Sequence, residues 1–309
     1  MAGIEQELVA WLQQRQRPNS AIQLGIGDDM ALLETPSNRI LLSSDMLLDG
    51  VHFESKTQSL ALIGRKSLAC SLSDCAAMAV RPIAAVVSLA LPAHWTLAQA
   101  QELMEGVFAL AADFDVQVVG GDTTSWENPL VVDVAVTATP YEGVEPVRRN
   151  RAREGDILYV TGPLGGSLLG RHLTFVPRVH EARSCAQSLG CRLHAMMDIS
   201  DGLSLDIWRM CTASHVGAEL DESLLAPVIS EDARRMSAMD GRTALDHVLG
   251  DGEDFELLCS VDSDTPSEIS AIQAGGTRLL PIGRVTHEGL QLRRLDGRIE
   301  KLEPRGFTH

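Results

Sequence analysis

The sequence predicts a mixed chain, α/β or α+β, folded as two domains. Three observations carry this. Runs rich in β-branched residues alternate with runs of helical length along the whole chain. Its 309 residues suit two domains of about 150 residues each. A basic stretch, VRRNRAREGD at 147–156, interrupts an otherwise acidic sequence and marks a boundary. The expected domains are 1–145 and 146–309.

The elements follow in order. Leu8, Val9, Trp11 and Leu12 give the first segment one apolar helical face, which Pro18-Asn19 ends. Two short extended runs come next, QLGIGDDMALLE and NRILLSSDMLLDGVHF. Residues 59–79 have helical length and few breakers. Ile83–Leu91 reads as a strand, 96–114 as a helix, and VQVVGGDTT and PLVVDVAVTA as two more strands. Beyond the boundary, DILYVTGPLGGSLLG reads as strand, glycine-rich turn and helix. Helices are expected around 178–190 and 231–249, with MMDISDGLSLDIWRM between them and DGEDFELLCSV after them. LLPIGRV and a short hairpin close the chain. The methionines and Trp208 read as core.

Composition removes several function classes. Hydrophobic residues make up 45% of the chain, too many for disorder as a whole-chain description. Asp and Glu number 42 against 26 Lys and Arg, and the net charge of −16 opposes nonspecific binding to nucleic acid or an anionic membrane. Cysteines at 70, 75, 185, 191, 211 and 259 form no CxxC pair, which argues against a zinc ribbon or a thioredoxin-type site. They read as reduced thiols of a reducing compartment. The first segment carries Glu5 and Glu7 and is no signal peptide, and Ile83–Leu91 is too short to span a bilayer. A soluble cytoplasmic protein is expected.

The chemical signal is a repeated pattern in which an apolar run reaches Gly or Ser and an aspartate follows. It occurs as GIGDD (25–29), LLSSD (41–45), VVGGD (118–122) and MMDISDGL (196–203), with SLSD (71–74) and DGED (251–254) as related acidic turns. Any single instance is ordinary turn chemistry. The whole set suits a hard cation such as Mg²⁺, which takes carboxylate oxygens and shares its shell with phosphate and water. Clustered carboxylates repel unless a cation sits among them, so an acidic protein can still bind anionic substrates through metal. No GxxxxGK[ST], HRD or DFG motif competes. TGPLGGS (161–167) could cradle an anion at a helix start or serve as a packed turn.

Taken together, GIGDDMALL, SSDMLLDGVHF, SLSDCAAM, VVGGDTT, the arginine before EGD, MMDISDGL and GEDFEL resemble the thiamine-monophosphate kinase family. That family lies within the aminoimidazole-ribonucleotide-synthetase-like superfamily. The pieces keep the family's order from about residue 24 to 258, and GRV…EGL and RGF in the tail also fit. The resemblance implies transfer of the γ-phosphoryl group of ATP to thiamine monophosphate by direct in-line attack, assisted by several Mg²⁺ ions. K⁺ is a further candidate cation. It also implies a two-domain synthetase-like fold, with an N-terminal metal- and ATP-binding domain whose sheet pairs across a homodimer into a barrel-like core. The C-terminal half is then a second α/β domain. Neither nucleic acid nor membrane is an expected partner.

Carried over residue by residue, the resemblance makes Asp28, Asp29, Ser43, Ser44, Asp45, Asp74, Asp122, Asp198 and Asp201 metal ligands. Family members commonly have Thr at the place of Ser44. Gly120, Gly121, Arg149 and Ser200 are assigned to the nucleotide, with the register among Arg148, Arg149 and Arg151 open. His52, Glu253 and Phe307 are assigned to the thiamine substrate. Each has an ordinary alternative: His52 a core histidine in a strand, Asp74 a helix cap, Arg149 a solvated charge, Glu253 a turn acid, Phe307 tail packing. No protein base or nucleophile is expected. The sequence departs from the family in three places. The segment between TGPLGGS and MMDISDGL is short, Asp251-Gly252 replaces a glycine pair, and the tail lacks the common upstream Trp and final Phe.

Overall fold

The computed structural model describes residues 11–12, 14–15, 22–24, 32–34, 39–265 and 278–307. The chain divides into two compact units, Met1–Cys75 with Arg81–Pro140, and Ala76–Val80 with Tyr141–His309. The secondary structure is mixed α/β, with a separate sheet in each unit.

The first unit begins with a small antiparallel pair, β1 (Ile22–Leu24) and β2 (Leu32–Leu33). Then come β3 (Leu41–Leu48), α1 (Leu60–Ala77), β4 (Val80–Pro92), α2 (Leu97–Asp113), β5 (Gln117–Trp126) and β6 (Val131–Pro140). Four strands form a sheet in the order β3-β6-β4-β5, with β3 and β6 antiparallel and β4 and β5 parallel. Val132, Val134 and Val136 alternate into the core, as a half-buried strand requires. Ser71 Oγ of α1 donates to the Val134 carbonyl at 2.8 Å and ties the helix to β6. The two helices meet where Gly64 faces Leu103 and Gly106 faces Ala61; a Cβ at either glycine would lie within 2 Å of a backbone oxygen. That close approach explains two glycines inside helices, where the residue otherwise costs about 1 kcal/mol.

The second unit runs β7 (Ile157–Val160), α3 (Arg171–Thr174), α4 (Val179–Leu189), β8 (Leu193–Asp198), α5 (Leu203–Ser214), β9 (Gly217–Asp221) and α6 (Glu222–Leu225). It continues with α7 (Glu231–Asp240), α8 (Ala244–Gly250), β10 (Leu257–Val261), β11 (Leu280–Thr286), β12 (Leu290–Arg293) and β13 (Ile299–Lys301). The seven strands order as β13-β12-β9-β11-β7-β10-β8, and every pair is antiparallel except β12 with β9. Leu158, Val160, Met197, Leu203, Ile207, Leu258 and Ile282 share its core. Among the described residues, expected and observed elements agree in type, including the closing β12–β13 hairpin; most of the expected first helix and of the GIGDD run lies outside them. Some expected placements change. SLSD is helical, within α1, not a turn. Asp45 lies inside β3, because the serines before it continue the strand, while Asp122 lies within β5 as VQVVGGDTT predicted. Trp208, Met46 and Met239 are exposed, not core.

The glycine-rich turn is a packed turn, and the carboxylates it meets belong to the chain itself. Gly165 N–H donates to both Asp254 oxygens, at 3.0 and 2.9 Å, and Gly166 N–H donates to Asp251 Oδ2 at 2.9 Å. Thr161 Oγ1 donates to Glu256 Oε2 at 2.6 Å, and Arg178 grips the same carboxylate at 2.8 and 2.6 Å. Burial pushes Asp254 up to about 8, with Glu256 and Asp251 adding to the rise, while Arg171 and the Gly165 N–H oppose it. A raised acid binds its proton more tightly folded than unfolded, so its ionisation opposes folding. Relative to Asp254→Asn, wild-type stability should therefore fall as pH rises from the ordinary 3.8 to about 8. Denaturation midpoints of both proteins across that window check it; a constant difference between them would contradict it.

Candidate active site

In the first unit, strand alternation sorts the SSD motif. Ser43 and Asp45 share one face of β3, and Leu42, Ser44, Met46 and Leu48 share the other. Ser43 Oγ donates to Asp74 Oδ2 from the last turn of α1. Asp45 lies two residues along the same face of β3 as Ser43. Burial, then the charges of Asp74 and Asp45, push the Cys75 thiol up to about 12. Ser43 and Asp74 are thus in contact, with Asp45 on the same strand face. Ser44 turns the other way and donates to Asp133 Oδ1 at 2.8 Å.

Asp122 lies on β5, at the opposite edge of the sheet from β3. Three interstrand steps separate the two strands, roughly 14 Å at ordinary spacing. Its side chain is exposed and accepts the Thr123 N–H at 2.9 Å. Gly121 is demanded by its neighbour strand, since a Cβ would sit 1.8 Å from the Val87 carbonyl oxygen, whereas Gly120 faces open space. His52 occupies a turn, not a strand. Its Nδ1 accepts the Leu48 N–H at 3.0 Å, and its carbonyl accepts from the fully buried Lys66 at 2.5 Å. An open groove of about 470 Å³ in this unit is lined in part by Asp49, Lys56, His94 and Trp95, which sequence reasoning did not single out. Asp28 and Asp29 lie outside the described residues.

In the second unit, two motifs far apart in sequence become neighbours because β8 and β10 are antiparallel. Asp198, the last residue of β8, pairs with Leu257. The ladder continues past the strand ends: Ile199 N–H to the Glu256 carbonyl at 2.8 Å, Phe255 N–H to Ile199 at 2.8 Å, and Glu253 N–H to Ser200 at 2.6 Å. Phe307 N–H donates to the Asp201 carbonyl at 2.9 Å and brings in the tail. Asp198, Ser200, Asp201, Glu253 and Phe307 thus converge at one end of this sheet.

Asp206 and Arg209, missed from the sequence, organise this turn. Asp206 Oδ2 accepts the N–H groups of Asp201 and Gly202, at 3.0 and 3.2 Å. Arg209 pairs with Asp201 and, at 2.9 Å, with Asp206. Burial pushes Asp206 up to about 7, and the Asp198 and Asp201 charges add to the rise. The signal was legible in hindsight, an acid and an arginine at i,i+3 on the helix that follows DISDG. Arg149 is not part of this convergence. It sits exposed in a 3₁₀ turn whose carbonyl accepts from Ser214 Oγ at 3.0 Å, at the far end of α5 from Asp201. That helix is about 18 Å long at its ordinary rise. Arg148, Arg151 and Arg153 beside it are also exposed.

Among the described residues, no three His, Cys, Asp or Glu side chains stand together as a ready metal cage, and no helix is long and apolar enough to cross a membrane. The chemistry on offer is a hydroxyl–carboxylate pair in the first unit and, in the second, an acidic cluster whose carboxylates are met by backbone amides and guanidinium groups.

Comparison with known proteins gives this geometry a context. Residues 27–139 match the family described as AIR synthase related protein, N-terminal domain, and residues 163–293 match its C-terminal domain. The chain is 40% identical to the thiamine-monophosphate kinase of Rhodopirellula baltica over 317 aligned positions, covering 99% of this chain and 97% of that one. Among solved structures it resembles thiamine-monophosphate kinase from Stenotrophomonas maltophilia K279a, with a TM-score of 0.77 and 30% identity over 94% of this chain and 96% of that one. It also resembles AaThiL complexed with AMPPCP and TMP, with a TM-score of 0.75 and 26% identity over 98% of this chain and 95% of that one. Both halves and the end-to-end match agree: the chain belongs to the thiamine-monophosphate kinase family of AIR synthase related proteins.

Proposed function

We propose that this protein transfers the γ-phosphoryl group of ATP to thiamine monophosphate, giving thiamine diphosphate and ADP. The observation that carries the reading is its similarity, over 99% of its length, to a thiamine-monophosphate kinase. The ATP analogue and TMP in the AaThiL complex support the two substrates.

The acceptor is itself a phosphate monoester. Its second pKa is about 6, so near neutral pH it is mostly a dianion and already a nucleophile. No protein base has to remove a proton, and the obstacle is the approach of two anions. The chain's part is then to bind and align them. Ser43, Asp45 and Asp74 offer only oxygen donors, the hard set that suits Mg²⁺. Two carboxylates and a hydroxyl leave the rest of an octahedral shell to phosphate oxygens and water. When bound, Mg²⁺ supplies charge neutralisation between the reactants.

The remaining roles rest on the family resemblance. Asp28, Asp29, Ser44, Asp122, Asp198 and Asp201 serve as further metal ligands. Gly120, Gly121, Arg149 and Ser200 meet the nucleotide, and His52, Glu253 and Phe307 meet the acceptor. The Leu48 N–H on His52 Nδ1 favours the tautomer with the proton on Nε2. Residues 1–145 serve as the metal- and ATP-binding and dimerisation domain, and residues 146–309 as the C-terminal α/β domain. A homodimer is supported by the exposed Leu42, Met46 and Leu48 on one face of the edge strand β3. The reaction belongs in the cytoplasm, where the exposed Cys191 would stay reduced.

One assay tests the reaction: ATP and Mg²⁺ with thiamine monophosphate, and with thiamine as control acceptor. Diphosphate should form only from the monophosphate, and no labelled phosphoryl group should remain on the protein. Asp45→Asn and Asp74→Asn should each lower kcat at least about a hundredfold; near-wild-type turnover of both at limiting Mg²⁺ would overturn the assignment. The double variant Leu42→Glu, Met46→Glu should sediment as a monomer where the wild type sediments as a dimer, and an unchanged dimer would place the contact elsewhere.

A further inference from the structure

The segment between the glycine-rich turn and MMDISDGL is short for the family. In the fold, its first residues engage the 253–255 loop almost one for one. Arg171 donates to Asp254 Oδ1 at 2.7 Å and to the carbonyls of Pro163 and Gly165 at 2.7 and 3.0 Å. The next residue, His172, places Nδ1 3.0 Å from Glu253 Oε2. Phe175 stacks on Phe255, with ring centroids 4.1 Å apart and planes 13° from parallel. Consecutive residues of α3 therefore hold consecutive acids of the loop, and an aromatic pair closes the contact.

The loop needs holding. Glu253 and Phe255 have φ of +62° and +52°, the left-handed region that residues with a Cβ rarely adopt. Arg171 and the Phe175–Phe255 stack already restrain Asp254 and Phe255, on one side of Glu253. His172 contributes something different. Its ring is buried at 4% exposure, and its Nδ1 stands at ion-pair distance from a buried carboxylate oxygen. Polar groups withdrawn from water in this way are costly unless they are matched. An apolar side chain would fill the same volume but would remove the contact with the Glu253 carboxylate.

We propose that His172 is a positioning residue: its imidazole orients the Glu253 carboxylate that meets the cationic thiazolium ring of the acceptor. It therefore governs recognition of the acceptor and not of ATP. The proposal rests on the reading that Glu253 contacts the acceptor.

Steady-state kinetics of the full-length protein, varying thiamine monophosphate and ATP in turn, test it. His172→Ala should raise KM for thiamine monophosphate about tenfold and leave KM for ATP within about twofold, the loss expected for one charge-assisted contact. His172→Asn, whose amide can donate to the same oxygen, should recover most of that loss. In a Glu253→Gln background, His172→Ala should add nothing further. Should the alanine variant fail to fold, His172→Leu keeps the volume and carries the same expectation. Equal increases in both KM values, or effects of His172 and Glu253 substitutions that multiply independently, would make the imidazole merely structural and overturn the proposal. So would an unchanged KM in His172→Ala when Glu253→Gln raises it. An unchanged acceptor KM in Glu253→Gln would instead overturn the reading of Glu253 itself.

Discussion

Crowded carboxylates are the constraint on which this structure turns. Acids held close together raise one another's proton affinity, and each must be answered by amide, guanidinium or cation. In the second unit the answers are visible. Gly165 and Gly166 give their N–H groups to Asp254 and Asp251, Arg178 covers Glu256, and Arg209 bridges Asp201 and Asp206. In the first unit, Asp74 accepts from Ser43, and Asp45 lies on the same face of β3 as Ser43.

The scaffold works through strand ends. Because β8 and β10 run antiparallel, the chain leaving β8 through Ile199 and Ser200 lies against the chain entering β10 through Glu253 and Phe255. Two acidic motifs about fifty residues apart thus share hydrogen bonds, and the tail adds Phe307. The glycine-rich turn then locks the loop from below. A change in any one of these segments would shift the others, which is why a short helix of four residues can matter to substrate recognition.

Much of this was legible in the sequence. Element types followed from run length and residue type: 60–77 has helical length and few breakers, and 80–92 is rich in β-branched and small apolar residues. The ordered acidic motifs identified the family because so many separate pieces had to coincide. What escaped was direction. Strand alternation sends Ser44 away from Ser43 and Asp45, and the serines let β3 run on through Asp45. Trp208 and Met46 were read as core from residue type alone, yet type does not say which face of an element is covered. TGPLGGS could be assigned only once its carboxylate partners, some ninety residues later, were in place. His172 carried no local signal at all, since its partner is set by tertiary contact.

The central claim is that Ser43, Asp45 and Asp74 form a seat for divalent cations. Mn²⁺ serves as a paramagnetic substitute for Mg²⁺, and titrating it into the full-length protein with a non-hydrolysable ATP analogue, followed by electron paramagnetic resonance, tests that claim directly. The account predicts saturable binding in the wild type and fewer bound ions in both Asp45→Asn and Asp74→Asn. The same number of ions, bound as tightly, in both variants would contradict it.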